Sequence, residues 1–217
     1  MSADPATHPS DPLARRLAAG LAALPLALDA RATQQLLAYL QLLGKWNTAF
    51  NLTAIRDPEE MVTRHLLDSL AILPWVQGPR VLDVGSGAGL PGIPLAIARP
   101  DLAFTLLDAN AKKTRFITQA VGELGLKNVE VVQNRAENYR PSATFDTLVS
   151  RAFAGIADML AATRHLCAPH GRFLAMKGVY PEEELAAVPA EMAIETVALR
   201  VPGLAAARHL VILTPRS

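Results

Sequence analysis

The sequence has a single cysteine, Cys167, among its 217 residues, and only 5% of its residues are aromatic. One cysteine excludes an internal disulfide and favours a reducing compartment. The apolar neighbours of Cys167 favour a small buried side chain over a nucleophile or a metal ligand. No uninterrupted apolar run reaches the roughly 18 residues of a membrane-spanning helix, and residues 1–12 lack the apolar run of a secretory signal. We therefore expect a cytoplasmic protein without a membrane partner.

An excess of one charge is also missing. The chain carries 21 Lys and Arg residues against 20 Asp and Glu residues, a formal net charge of +1. This balance excludes a global positive field, so any contact with nucleic acid must come from a local basic patch. The hydrophobic content is high, at 51%, and the length suits one domain with a modest extension. We expect a monomer with a sizeable core.

Composition and periodicity divide the chain into three parts. Residues 1–12, rich in Pro, Ser, Thr and Asp, predict a disordered leader. Residues 13–77 repeat apolar side chains every three or four positions, which predicts a helical segment packed on the core. In residues 78–217, β-rich runs alternate with helical stretches, which predicts a Rossmann-like α/β domain with a mostly parallel sheet covered on both faces. The predicted strands are 80–84, 103–107, 129–132, 145–150, 172–176 and 210–213, and the predicted helices of this domain are 91–98, 111–124 and 155–166.

A glycine loop, residues 85–92, follows the first predicted strand and contains four glycines. Glycine allows a positive φ and a close approach of the backbone to a ligand. The loop also fits the dinucleotide fingerprint G-x-G-x-x-G, which is weak by itself. No Lys or Arg lies between residues 81 and 98, whereas Asp83, Asp108 and Glu137 follow the first three strands. Three carboxylates suit a cationic sulfonium better than a pyrophosphate, which favours S-adenosylmethionine over a nicotinamide or flavin cofactor and over a purely structural turn.

The carboxylates have different predicted uses. Asp108 ends the second strand and could accept hydrogen bonds from a ribose, and a cap of the following helix is the structural alternative. Asp83 is expected to organise the loop without touching the ligand. His65 and Asp68, three residues apart, resemble a metal or acid–base pair, but no further His or Cys lies at ligand spacing. A hydrogen bond that packs a helix or anchors a loop is the favoured use of that pair.

A second group of side chains lies near the end of the predicted helical segment. Trp46 and Phe50 share one helix face, and we expect them in the core more than on a surface where bases stack. Asn47 and Asn51, on the same stretch, could pin the helical segment against the glycine loop.

Four segments together resemble a known bacterial family. They read WNTAFNLT at 46–53, RHLLDS at 64–69, GLPGIP at 89–94 and SRAF at 150–153. In this order they are similar to the family once called glucose-inhibited division protein B, the small-subunit ribosomal RNA guanine-N7 methyltransferases. The resemblance runs from about residue 34 to residue 213. No single motif is unique to the family, but the ordered set is specific.

The resemblance implies that S-adenosylmethionine methylates a guanine N7 in a hairpin loop of 16S ribosomal RNA, within the small subunit or an assembly intermediate. No catalytic residue is expected, because N7 has a free lone pair and alignment supplies most of the rate. No metal is expected either, because the chain lacks further His or Cys at ligand spacing. The positions that match the donor site of the family are Gly85, Gly87, Leu90, Asp108, Ala136, Glu137 and Arg151. The positions that match its basic residues near the acceptor are Lys112, Lys113, Arg135, Lys177 and Arg208.

Alternatives remain at the level of the sequence. Lys112 and Lys113 open a helix, where positive charge opposes the helix dipole, which hints at phosphate contact but also fits a solvated face. An RNA-binding assembly factor with a dead site would not need the intact glycines and Asp108. A small-molecule methyltransferase usually carries an apolar lid, whereas the helical segment of this chain carries Lys45, Arg56 and Arg64.

Overall fold

The computed structural model describes residues 11–151, 153 and 155–216. The predicted disordered leader therefore lies outside the described residues, except for Asp11 and Pro12. Helix α1 begins at Pro12, inside the segment for which the sequence predicts disorder. The carboxylate of Asp11 accepts a hydrogen bond from the Leu13 N–H at 3.0 Å, and proline fits the first helical position.

The N-terminal part is helical, as its periodicity predicts. Its α-helices are α1 (Pro12–Ala22), α2 (Ala30–Phe50), α3 (Pro58–Met61) and α4 (Asp68–Leu70), with a π-helical segment (Val62–Leu67) between α3 and α4 and a 3-10 turn (Leu73–Trp75) at the end. None of the helices in the described part of the chain combines the length and the apolar character that a bilayer span requires.

The rest of the described chain forms one seven-stranded sheet in the order β3-β2-β1-β4-β5-β7-β6. The strands β1 to β5 pair in parallel, and β7 runs antiparallel to both of its neighbours. The strands are β1 (Arg80–Val84), β2 (Ala103–Asp108), β3 (Val129–Gln133), β4 (Phe145–Ser150), β5 (Cys167–Lys177), β6 (Met192–Ala198) and β7 (His209–Pro215). The remaining α-helices are α5 (Gly92–Ala98), α6 (Ala111–Leu124), α7 (Ile156–Thr163) and α8 (Glu182–Ala186).

The predicted Rossmann-like α/β fold is confirmed, with two additions that the sequence did not reveal. Strand β6 lies at the sheet edge and is largely half-buried or exposed, so its apolar pattern is weak. Helix α8 is short and has no buried residue, so it has no apolar stripe. Short, exposed elements lack the periodic signal from which the other elements were predicted.

Both faces of the sheet are covered by helices with apolar cores. On one face α2 packs against α5 and α6, and the ring of Tyr39 lies 6.4 Å from that of Phe116. On the other face α7 covers Phe145 and Phe173. The helical segment of residues 13–77 thus lies on the sheet domain, and a domain boundary near residue 77 stays a prediction. From β1 the chain adds β2 and β3 on one side, and from β4 it adds β5 on the other side. This reversal of strand order between β1 and β4 leaves a crevice at their carboxyl ends.

Candidate functional site

The glycine loop begins directly after β1. Gly85 and Gly87 have φ values of 70° and 59°, and Gly89 has a φ of 84°. A side chain at Gly89 would be strained at this φ, and its Cβ would lie only 2.5 Å from the Ile93 side chain, so that position requires glycine. At Gly85 a Cβ would meet no atom within 4 Å. The loop therefore leaves open space beside its backbone, where a ligand can approach closely.

Asp108, at the end of β2, ties the glycine loop to the start of α6. Its Oδ2 accepts a hydrogen bond from the Gly87 N–H at 2.9 Å, and its Oδ1 accepts one from the Asn110 N–H at 2.8 Å. Asn110 is the residue that caps α6, so the reading of Asp108 as the helix cap is wrong. Each carboxylate oxygen can accept a further hydrogen bond. Asp108 can therefore hold the loop and bind a hydroxyl donor at the same time.

Asp83 serves the loop from inside the protein. It is fully buried, and its Oδ2 accepts a hydrogen bond from the Gly92 N–H at 2.8 Å. Its Oδ1 has no hydrogen-bond partner among the described residues. Burial raises the pKa of this carboxyl to about 7. Asp83 thus organises the loop, as expected, and does not contribute a third carboxylate to the crevice.

A first cavity, of about 230 Å³, opens at the carboxyl ends of β1, β2 and β3. Its lining includes Gly85, Asp108, Arg135, Ala136, Glu137 and Phe153. Lys113 lies at its edge, with Nζ 4.0 Å from Asp108 Oδ2. The charge pattern read from the sequence was therefore incomplete, because cations from α6 and from the turn after β3 reach this crevice. Leu90 does not line the cavity, since its side chain is buried in the core.

A second cavity, of about 310 Å³, lies at the carboxyl ends of β4 and β5. The charged and polar side chains that line it are Arg64, His65, Asp68, Arg151, Lys177 and Arg208. Arg151 thus lies in the second cavity, and Phe153, two positions further, lines the first. The position predicted to close the donor site therefore lines the neighbouring cavity.

Asp68 organises the second cavity. This buried carboxylate accepts a hydrogen bond from Arg208 Nε at 2.9 Å on Oδ1, and its Oδ2 lies 3.7 Å from Arg151 Nη1. Arg151 also donates to the Arg64 carbonyl at 3.2 Å. Burial raises the pKa of Asp68, while the two guanidinium groups oppose this shift. One carboxylate therefore holds two arginines from distant parts of the chain at the same cavity.

His65 anchors a loop, as the sequence suggested. Its Nε2 lies 2.9 Å from Thr53 Oγ1. Burial and the nearby charge of Arg151 lower its pKa to about 4, so the imidazole is neutral at physiological pH. No group of three or more His, Cys, Asp or Glu side chains in the described part of the chain is arranged to hold a metal. Burial raises the pKa of Cys167 to about 11, which makes its thiol a poor nucleophile.

Four of the five predicted RNA-contacting residues lie at one or the other of the two cavities. Lys113 and Arg135 lie at the first, while Lys177 and Arg208 line the second. Lys112 is exposed at the start of α6. All five lie beside the carboxyl ends of the strands, on the side of the sheet where both cavities open.

Two predictions about the end of α2 are corrected. Asn47 accepts a hydrogen bond from the Thr53 N–H at 2.9 Å, and Asn51 ends α2 with a φ of 49°. They shape the loop after α2 and do not pin the glycine loop. Trp46 packs against the core, with its ring 5.6 Å from that of Phe116, but Phe50 is 41% exposed.

Tyr39 pins the glycine loop instead, and sequence reasoning missed it. Its buried hydroxyl donates to the Ala88 carbonyl at 2.7 Å. The available signal was a tyrosine within the apolar stripe of α2, because a buried phenol needs a hydrogen-bond partner. The position of that partner could not be read from the pattern.

Comparison with known proteins identifies the family. A family model described as rRNA small subunit methyltransferase G matches residues 32–211. The ribosomal RNA small subunit methyltransferase G of Nitrosococcus oceani is 57% identical over 198 residues, which cover 91% of this chain and 92% of that protein. The protein of the same name from Pseudomonas aeruginosa PAO1 is 56% identical over 208 residues, 95% of either chain. That from Laribacter hongkongensis is 54% identical over 92% of this chain and 97% of its own length.

Solved structures agree on the fold. A SAM-dependent methyltransferase from Aquifex aeolicus has a TM-score of 0.58 at 18% identity and covers 82% of this chain and 98% of its own. The O-methyltransferase TomG from Streptomyces achromogenes has a TM-score of 0.57 at 15% identity, and the match covers 95% of this chain and 100% of the TomG chain.

The family match spans most of the chain, and the relatives are similar over nearly their whole length. It confirms the predicted enzyme class and, with it, the predicted cofactor, S-adenosylmethionine. The chain therefore belongs to the rRNA small subunit methyltransferase G family and is a methyltransferase.

Proposed function

We propose that the protein transfers the methyl group of S-adenosylmethionine to N7 of one guanosine in 16S ribosomal RNA, by direct in-line attack and without a general base. The observation that supports this most is the pair of dissimilar cavities beside each other at the carboxyl edge of the sheet. The first has a glycine loop and a buried carboxylate, and the second is lined by four cationic side chains. Such a pair suits a nucleoside donor and a polyanionic acceptor.

The residues of the first cavity fit S-adenosylmethionine. Asp108 keeps acceptor capacity for the ribose hydroxyls, and the open space at Gly85 admits the donor against the backbone. Ala136 and Glu137 begin the turn after β3 and would lie beside the adenine. When bound, the donor supplies an electrophilic methyl group on a sulfonium. Lys113 and Arg135 at the edge are compatible with it, because its amino-acid part also carries a carboxylate.

Three of the proposed donor residues act indirectly. The N–H of Gly87 donates a hydrogen bond to Asp108, so the role of Gly87 is to hold that carboxylate in place. Leu90 is buried and supports the glycine loop from the core. Arg151 faces the second cavity, so we propose that it acts at the boundary between donor and acceptor.

The second cavity suits the target nucleotide. Arg64, Arg151, Lys177 and Arg208 offer positive charge for phosphates that flank an extruded base. Asp68 keeps Arg151 and Arg208 at the cavity wall and offsets part of their mutual repulsion. The target base must be unpaired or extruded from its stack, because the deep, narrow major groove of paired RNA hides guanine N7.

No proton has to leave guanine N7 before it attacks, since the atom carries a lone pair and no hydrogen at neutral pH. The lining of the second cavity is consistent with this chemistry. His65 is neutral, but its Nε2 is engaged with Thr53, and the carboxylate of Asp68 is engaged with arginine. These residues hold and orient the acceptor, and alignment of the two reactants supplies the rate.

The acceptor surface continues beyond the second cavity. Lys112 and Arg135 are exposed near the first cavity and would contact phosphates on either side of the target. With a net charge of +1, the protein depends on such local contacts for affinity. We propose that it acts as a cytoplasmic monomer on the small subunit or on an assembly intermediate.

Nucleoside analysis tests the proposal. Small-subunit ribosomal RNA is isolated from cells with and without the gene, digested to nucleosides and measured by mass spectrometry. We expect one 7-methylguanosine per RNA molecule to depend on the gene. An unchanged 7-methylguanosine content with loss of a different methylated nucleoside would contradict N7 as the acceptor.

A further inference from the structure

The segment that follows β5 exposes apolar side chains beside the second cavity. We name residues 178–180, Gly178, Val179 and Tyr180, the β5 tip. Val179 is 79% exposed and Tyr180 is 55% exposed, and they are adjacent in the chain. Only two other large apolar side chains in the described part of the chain are exposed, and those are separate from each other. Adjacent exposed apolar residues of this size indicate a contact surface.

The β5 tip is held in a defined position. The carbonyl of Gly178 lies 2.8 Å from His209 Nδ1, and the ring of Tyr180 packs perpendicular to that histidine, with 5.7 Å between centroids. On its other side, Lys177 pairs with Glu184 at 2.7 Å. A preorganised ring loses little conformational entropy when a partner binds. In a perpendicular contact the histidine can cover only one face of the tyrosine ring, so at least the other face is left for stacking.

The position of the β5 tip relates it to the acceptor. Gly178 itself lines the second cavity, together with Lys177 and Arg208. A Cβ at Gly178 would lie 3.8 Å from the Arg208 guanidinium. An RNA strand that places one nucleotide in this cavity can therefore bring a neighbouring nucleotide to the tip.

We propose that the β5 tip is a stacking platform for an unpaired base next to the target guanosine, with Tyr180 under the base and Val179 against its edge. The proposal rests on the proposed function, because it takes the second cavity as the acceptor site. Aromatic side chains bind unpaired bases in this way in many single-stranded RNA sites. The exposed Glu182 and Glu183 follow the tip and repel phosphates. They favour an arrangement in which the base faces Tyr180 and the backbone follows the arginines.

Steady-state kinetics test the proposal. The acceptor is the small ribosomal subunit from cells that lack the gene, and the donor is saturating S-adenosylmethionine. For Tyr180→Ala we expect the KM for the subunit to rise about tenfold with kcat changed less than about twofold, the size of one lost stacking contact. Tyr180→Phe should recover most of the affinity, because it keeps the ring face. Affinity for S-adenosylhomocysteine, measured by calorimetry, should stay at the wild-type value.

The matched control is Ile194→Ala, which removes an exposed apolar side chain from β6, further along the sheet. We expect wild-type KM and kcat for this variant. An unchanged KM for Tyr180→Ala, while the wild-type enzyme methylates the subunit, would refute the stacking platform and leave the proposed function intact. A wild-type enzyme that makes no 7-methylguanosine would instead refute the proposed function.

Photocrosslinking identifies the class of partner. The variant Tyr180→p-benzoylphenylalanine is irradiated in complex with the same subunits, and the crosslinked species is analysed by mass spectrometry. We expect a crosslink to 16S ribosomal RNA within a few nucleotides of the methylated guanosine. A crosslink to a ribosomal protein alone, or to RNA remote from that guanosine, would overturn the proposal.

Discussion

Replacement of Asp108 by asparagine should weaken cofactor binding strongly while the fold is kept. Each oxygen of Asp108 accepts one backbone N–H, from Gly87 at 2.9 Å and from Asn110 at 2.8 Å. An asparagine has one acceptor oxygen and no negative charge, so the variant loses a charge-assisted hydrogen bond that the proposed function assigns to the ribose hydroxyls. Hydrogen bonds to a charged group contribute about 1.5–3 kcal/mol each, which corresponds to a dissociation constant about 10- to 150-fold higher.

Calorimetry with S-adenosylhomocysteine measures this change, and Asp101→Asn is the matched control. Asp101 also flanks β2, at its other end, and its side chain is 59% exposed in a pair with Arg99. We expect the control to bind as the wild type does. A 2′-deoxy analogue should lose affinity for the wild type but little more for Asp108→Asn, since the hydroxyl's partner is already altered. Equal affinity of a folded Asp108→Asn variant and the wild type would refute the assignment of Asp108.

Three further predictions concern the loop and the RNA surface. Burial raises the folded-state pKa of Asp83 from 3.8 to about 7. The free energy of unfolding of the wild type should therefore fall, by at most about 4 kcal/mol, as the pH rises from 4 to 7, and Asp83→Asn should not show this fall. Urea unfolding at several pH values checks this, and a variant-minus-wild-type difference that is independent of pH would contradict it. Tyr39→Phe removes the donor to the Ala88 carbonyl and should lower the free energy of unfolding by about 1–3 kcal/mol, again by urea unfolding; no loss would mean that this bond does not hold the loop. Lys112→Gln should reduce the slope of log RNA affinity against log salt by about 0.7, with unchanged S-adenosylhomocysteine affinity, and an unchanged slope would make Lys112 part of a solvated face.

The sequence predicts the sheet well because its signals are local. A buried strand that runs into a glycine loop, and acids that follow successive strands, locate the carboxyl edge without knowledge of tertiary contacts. The edge strand β6 and the short helix α8 lack such a signal. Their formation depends on pairing with β7 and on contacts with α7, which only the folded chain supplies.

The site could be predicted in part for the same reason. The placement of Gly85 and Asp108 follows from their positions after β1 and β2. The second cavity could not be foreseen, because Asp68, Arg151 and Arg208 come from three separate stretches of the chain and meet through side chains. Likewise, the buried hydrogen bond from the Tyr39 hydroxyl to the Ala88 carbonyl joins two distant segments of the chain.

Selective chemical cleavage tests the central claim most directly, because N7 methylation leaves a positive charge on guanine that makes the modified nucleotide sensitive to borohydride and aniline. Small subunits from cells without the gene are incubated with S-adenosylmethionine and either the wild-type enzyme or Asp108→Asn, and the extracted RNA is treated and analysed by primer extension. The proposed function predicts a new cleavage at one guanosine of 16S ribosomal RNA with the wild type and little with the variant. Methyl incorporation by the wild type without any such cleavage would contradict it.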